Sequence, residues 1–167
     1  MTIFLEIAEK AFWSGVIGTG FAILFNVPRR LLLAIFITSL SAGIVKFTSL
    51  SLDVNIIFSS LFAASFVGFI SITISGYKHT SPFVVSIPSV IGMIPGYFGY
   101  QTLLGIMHLA LSKSSPQDIN TLLFITRNAI NMVFVLGSLS LGVSLPWLLF
   151  RDKGLKKIKL NTDEDLL

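Results

Sequence analysis

Cysteine is absent from this 167-residue chain, so neither a disulfide framework nor a thiolate metal site is available and the redox compartment cannot be inferred. Charge is also scarce: 12% of residues are Asp, Glu, Lys or Arg against 53% hydrophobic. With a mean hydropathy of +0.85, a small soluble domain could not hide that much apolar surface from water. Histidine occurs twice, at His79 and His108, predicted near opposite sides of a membrane, and no His-Glu or paired Asp motif has a plausible geometry. An intramembrane enzyme is therefore not expected. The G-x-x-x-x-G-K phosphate loop is missing, and "GVIGTG" (15 to 20) has the wrong spacing and lies in an apolar span, so ATP hydrolysis is not expected and no cofactor is implied. No unit of 20 to 50 residues repeats.

What remains is an all-α integral membrane protein. The formal charge of +4 does not indicate nucleic acid, because five of the twelve basic residues cluster between Arg151 and Lys159, where they read as an orientation signal. A crossing needs about 20 mostly apolar residues, and about five transmembrane helices are predicted. The first runs from Ile7 to Val27, the second from Leu31 to Leu50, the third from Ile56 to Tyr77, the fourth from Phe83 to Leu111 and the fifth, in its apolar core, from Ala129 to Phe150. A four-helix reading follows if the fourth is re-entrant. Glu6 and Glu9 precede the first apolar run with only Lys10 for basic charge, unlike a signal peptide, so that segment is read as a helix of the mature protein. Residues 1-150 form the transmembrane module, and 151-167 a solvated tail that turns from basic to acidic.

Orientation follows from loop charges. Arg29, Arg30, Lys78 and the tail bases fall on one side, Lys10, Lys46 and Lys113 on the other. The richer side belongs in the cytoplasm, which puts the N-terminus outside and the C-terminus inside a cell membrane. Trp13, Trp147 and Tyr77 read as interfacial anchors, and Asp53 and Asp118 as residues of the outer loops.

Helices in lipid associate through small residues and interhelical hydrogen bonds. Gly15, Thr19, Ala22 and Asn26 make such a stripe on the first segment, Ser60, Ala64, Gly68, Ser71 and Ser75 on the third, and Asn131, Ser138 and Gly142, ending at Pro146, on the fifth. Each stripe serves packing or lines a polar path. Asn26, Asn128 and Asn131 need hydrogen-bond partners if buried in the bilayer. Arg127 either snorkels to the interface or recognises a substrate carboxylate. Glu6 and Glu9 share a face and could bind a proton between them, although Lys10 is placed to pair with Glu6 across one turn.

The stretch "SIPSVIGMIPGYFGY" (86 to 100) carries two prolines and three glycines inside the fourth segment. Proline removes a backbone hydrogen bond and clashes with the preceding turn, so a break is predicted at Pro95-Gly96, at mid-membrane. Freed backbone groups cannot face lipid. The half-helix starting near Gly96 would offer amides and a positive dipole end to a carboxylate, with Tyr97, Tyr100 and Gln101 within a turn. A tolerated kink whose tyrosines bond neighbouring helices is the alternative.

"GFAILFNVPRR" (20 to 30), "IPSVIGMIPG" (87 to 96) and "GSLSLGVSLPWLLFRDK" (137 to 153) resemble the threonine/serine exporter family, specifically its small C-terminal module, over nearly the whole chain. The resemblance implies a secondary transporter subunit that exports threonine and serine or, in a split two-subunit branch, small dicarboxylates such as succinate, with a larger membrane subunit as partner. It marks Asn26 and Pro28, Pro88, Pro95 and Gly96, and Gly137, Gly142 and Pro146 as motif positions. A non-transporting assembly or stability subunit is the alternative, and a homo-oligomeric channel a third reading.

Overall fold

The computed structural model describes the backbone of residues 2–111 and 118–164, and the side chains of residues 3–111 and 119–149. Lys113, the side chain of Asp118 and the side chains of the basic-then-acidic tail therefore lie outside the described residues. Among the described residues six helices follow one another: α1 (Thr2–Leu24), α2 (Arg29–Ser51), α3 (Ile56–Lys78), α4 (Pro82–Ile91), α5 (Gly96–Leu111) and α6 (Asp118–Glu164). No strand occurs among the described residues. Three of the helices, α2, α3 and the stretch Ile119–Leu149 of α6, are long and apolar enough to cross a membrane, and the α4–α5 pair, bent by 51°, makes a fourth span if its halves are taken together. α1 is as long as α2 and α3, at 23 residues each, but Glu6, Glu9 and Lys10 dilute its first half and it does not meet the same test.

The helix ends are set by local chemistry. Pro28 precedes α2, the Asn55 side chain accepts the Ile57 amide at the start of α3, and Pro82 occupies the first turn of α4. Three turns close on a left-handed residue that is not glycine: Asn26, Asp53 and His79, with φ of 55°, 57° and 48°. At the end of α1, the Val27 amide donates to the Ala22 carbonyl and the Asn26 amide to the Ile23 carbonyl, which is the Schellman pattern. Val54 to Ser49 and Asp53 to Leu50 repeat it after α2. Short polar side chains tolerate this region better than branched ones.

Packing rests on small residues, as the stripes predicted, with some members exchanged. Gly43 of α2 lies against Ala11 and Ser14 of α1, Gly15 against the Phe36 ring, and Gly18 against Ser39. With Gly43 against Ala11 and Ser14 towards one end and Ala22 clustered with Leu31 and Ile35 at the other, α1 lies antiparallel on α2. Gly142 of α6 sits on Ala64, Leu61 and Ser65 of α3, and Gly68 of α3 meets Val143 and the Pro146 ring. Around mid-height a cluster forms from Ala42, Ala63, Ala64, Val67, Met93, Val135 and Leu139. Large apolar side chains such as Leu33, Phe58, Phe62, Val133 and Leu141 point outward, the inverse of a water-soluble core and the arrangement a lipid solvent favours.

Candidate functional site

The α4–α5 pair is interrupted where proline and glycine predicted it. α4 ends at Ile91, residues 92–95 leave the helix, and α5 starts at Gly96. Gly92 packs on Ile17 and the Ser14 carbonyl, near the middle of α1, while Met93 enters the mid-height cluster beside Ala42 of α2 and Val67 of α3. The break is thus level with the middle of three neighbouring helices. Part of the freed backbone is recaptured locally: the Met93 amide donates to Val90, Ile94 to Ile91, and Gly96 to Ile94 at 2.8 Å.

The two halves differ in support. α4 packs against α1, α2 and α3 and buries Val85, Ser86, Pro88 and Ser89. α5 packs chiefly on α6 and buries none of its residues. Gly99 meets Met132 and Gly105 meets Ile125, so α5 and α6 run antiparallel with the start of α5 level with Asn131.

Lys46 completes the break, and the charge count misplaced it. Taken from sequence as an outer-side charge, it is 7% exposed and donates from Nζ to the Met93 carbonyl at 2.9 Å. That carbonyl lies just past the C-terminal, partially negative end of α4, where a cation is favoured. An ammonium has three N–H donors, and among the described residues no carboxylate pairs with this one; the ion pair there joins Glu6 to Lys10 at 3.7 Å. Lys46 is legible in retrospect as the continuation of a small-residue face, Ser39, Ala42, Gly43, Lys46, in an otherwise apolar helix.

Of the sequence candidates, Pro95 is buried in the break, while Gly96 and the side chains of Tyr97 and Tyr100, 67% and 60% exposed, point away from the chain's own core. Gln101 lines a groove of ≈ 590 Å³ between α5 and α6, with His108, Thr121 and Phe124. Asn131 is half-buried on α6 and Arg127 is exposed about one turn further along it. The Asn128 amide donates back to the Phe124 carbonyl within its own helix. Asn26, Glu6 and Glu9 are not brought to the break. Asn26 is exposed in the turn after α1, while Glu6 and Glu9 are exposed near the start of that helix. Three buried serine hydroxyls on the helices around α4, at Ser39, Ser60 and Ser71, and Ser86 on α4 itself, have no hydrogen-bond partner among the described residues.

The position of Asn26 is testable. Asn26→Gly is expected to leave stability unchanged or raise it, because glycine adopts positive φ freely, whereas Asn26→Val should cost about 1–2 kcal/mol at this left-handed position. Thermal unfolding in detergent measures both. A melting temperature of Asn26→Gly well below that of the native chain would show that the side chain does more than close the turn.

Secondary transporters are among the membrane proteins built from helices bent or interrupted at mid-height, as the α4–α5 pair is here. The sequence matches the family described as Threonine/Serine exporter, ThrE, over residues 10–149, and the chain belongs to that family. It is also similar, at 27% identity over 154 residues, to an uncharacterized protein of Haemophilus influenzae (strain ATCC 51907 / DSM 11121 / KW20 / Rd), an alignment covering 90% of this chain and 50% of the relative. The chain spans about half the length of that relative. No solved structure matches it.

Proposed function

We propose that the chain is one half of a secondary transporter that exports small amino acids, threonine or serine, or small dicarboxylates of the succinate kind, and that it works with a larger membrane subunit of the same family. The observation that carries this reading is the helix broken at mid-height. A break costs backbone hydrogen bonds that lipid cannot replace, so it persists where protein or a water-filled path meets it. The α4 side is met by protein, and Tyr97, Tyr100 and Gly96 on the α5 side face outward, where a second half would meet them. A relative of about twice this length is consistent with such a half.

Five crossings, with α1 as the first, fit the packing. α1 runs antiparallel to α2 on close contacts from Ala11 to Gly18, so it occupies the same depth as a helix that qualifies as a span. The α1–α2 turn with Arg29 and Arg30 and the α3–α4 turn after Lys78 then share one side with the C-terminal tail. Removing buried Lys46 from the opposite count strengthens that asymmetry and favours an outside N-terminus. Tyr97, Tyr100, Gln101, Asn131 and Arg127 are the proposed path residues, and Glu6 with Glu9 a coupling pair reached only through the outer end of α1.

Co-expression of this chain with and without a candidate larger subunit, followed by efflux of labelled threonine and succinate, tests the reading. Efflux that requires both chains is expected. Efflux indifferent to this chain in either setting removes the transport assignment.

A further inference from the structure

Lys46 has a feature that helix packing does not require. Methionine or leucine would fill the same volume among Ala42, Gly43 and Met93 without placing a charge 93% out of solvent contact. A buried ammonium is stable only when paired and hydrogen-bonded, and its recorded partner is one backbone carbonyl. The carboxylates on the elements packed about α2 and in its following turn do not supply a counter-charge: Glu6 is engaged by Lys10, and Glu9 and Asp53 are exposed. Lys10 itself stands over the Phe47 ring, 5.9 Å from its centroid, on the outer part of α1. The break therefore holds a buried cation with no counter-charge from the described residues.

We propose that Lys46 is the binding residue for the carboxylate of the transported acid, with the Met93 carbonyl as its partner while the site is empty. The inference rests on the transport reading above and sharpens it. In the resting arrangement the ammonium is held on the end of the α4 half. When the α5 half tilts away, an entering carboxylate takes the place of the carbonyl, accepting from Nζ. The route is the α5 side of the break, where Ile94 and Gly96 are exposed. A neutral analogue of the same shape would gain nothing from Lys46.

The test uses the chain together with its larger subunit in inside-out vesicles, with uptake of labelled L-threonine or succinate as the signal. Competition by L-threonine is compared with that by L-threoninol, whose carboxylate is replaced by a hydroxymethyl group, and succinate is compared with succinamide. Charge-assisted hydrogen bonding should make the native complex prefer the acid by about 10- to 100-fold. Lys46→Met is expected to bring that preference close to one, and Lys46→Arg to keep most of it. Lys46→Gln can still donate to Met93 but carries no charge, so it separates a latch from a counter-ion and serves if Lys46→Met does not fold. Because the chain has no cysteine, Lys46→Cys followed by aminoethylation with 2-bromoethylamine rebuilds a side chain of lysine length and should restore the preference. An unchanged acid preference in Lys46→Gln overturns the assignment while leaving the transport reading in place. A native complex that moves neither acid removes the transport reading and this assignment with it.

Discussion

Gly142→Leu is expected to abolish the folded module. A β-carbon on Gly142 would stand 2.7 Å from the Ala64 Cβ, 2.9 Å from the Leu61 carbonyl oxygen and 3.0 Å from the Ser65 amide. Two of those three atoms are α3 backbone, which cannot swing aside as a long side chain would. The helices must separate, and the α3–α6 seam is the most extensive in the fold. Overpacking of a close core costs about 1–3 kcal/mol and more when backbone must move, and in lipid there is little hydrophobic drive to bring separated helices back together. The expected result is loss of monodisperse protein after detergent extraction. Gly137→Leu is the matched control, because a β-carbon there meets nothing within 4 Å. It should extract normally. If Gly142→Leu behaves like its control, the seam between α3 and α6 is not built as described.

The second large effect is expected from Pro95→Ala combined with Gly96→Ala. A methyl on Gly96 enters open space, so the change is not steric. Relative to alanine, proline disfavours a helix interior by about 3 kcal/mol and glycine by about 1 kcal/mol. Together they move the balance toward a continuous α4–α5 rod by about 4 kcal/mol, a factor of several hundred in population. Straightening would draw Met93 out of its cluster and take its carbonyl from Lys46. Efflux should fall to background while the protein still inserts and extracts. Paired spin labels on cysteines introduced at Ser81 and Leu111, in this cysteine-free chain, would report the end-to-end lengthening that accompanies loss of the 51° bend. Full efflux from a demonstrably straight helix would show that the break is dispensable.

The parts of this fold that sequence discloses are those governed by local chemistry. Length and hydropathy place α2, α3 and the apolar core of α6, although α6 already begins at Asp118, which reads from sequence as a loop residue, rather than at Ala129; Pro95-Gly96 announces the break, because a missing amide acts wherever the chain lies. The small-residue face of α3 is likewise readable, since Ser60, Ala64, Gly68 and Ser71 repeat at helical spacing and are all buried. Ala11, Ser14 and Gly18 were harder to select on α1, where small residues occur on several faces and only the partner helix decides which face matters. Asn26 illustrates a different limit: whether a polar residue at the end of an apolar run is buried depends on where α1 stops. Its end at Leu24 rather than Val27 settles the placement. Loop counting treats any lysine near a span's end as solvated, and so puts Lys46 on the outer side. Whether a side chain five residues from that end turns inward depends on what α4 does beside it, and the helix break that receives it is 47 positions away in sequence.

The unequal anchoring of α4 and α5 has a mechanical consequence. A rod clamped at one end by three supports and touched along the other chiefly by one bends where the clamp stops, and the arm beyond carries its single support with it. Any rocking of α5 is therefore transmitted first to the stretch of α6 bearing Arg127 and Asn131, while Lys46 stays with the stationary floor.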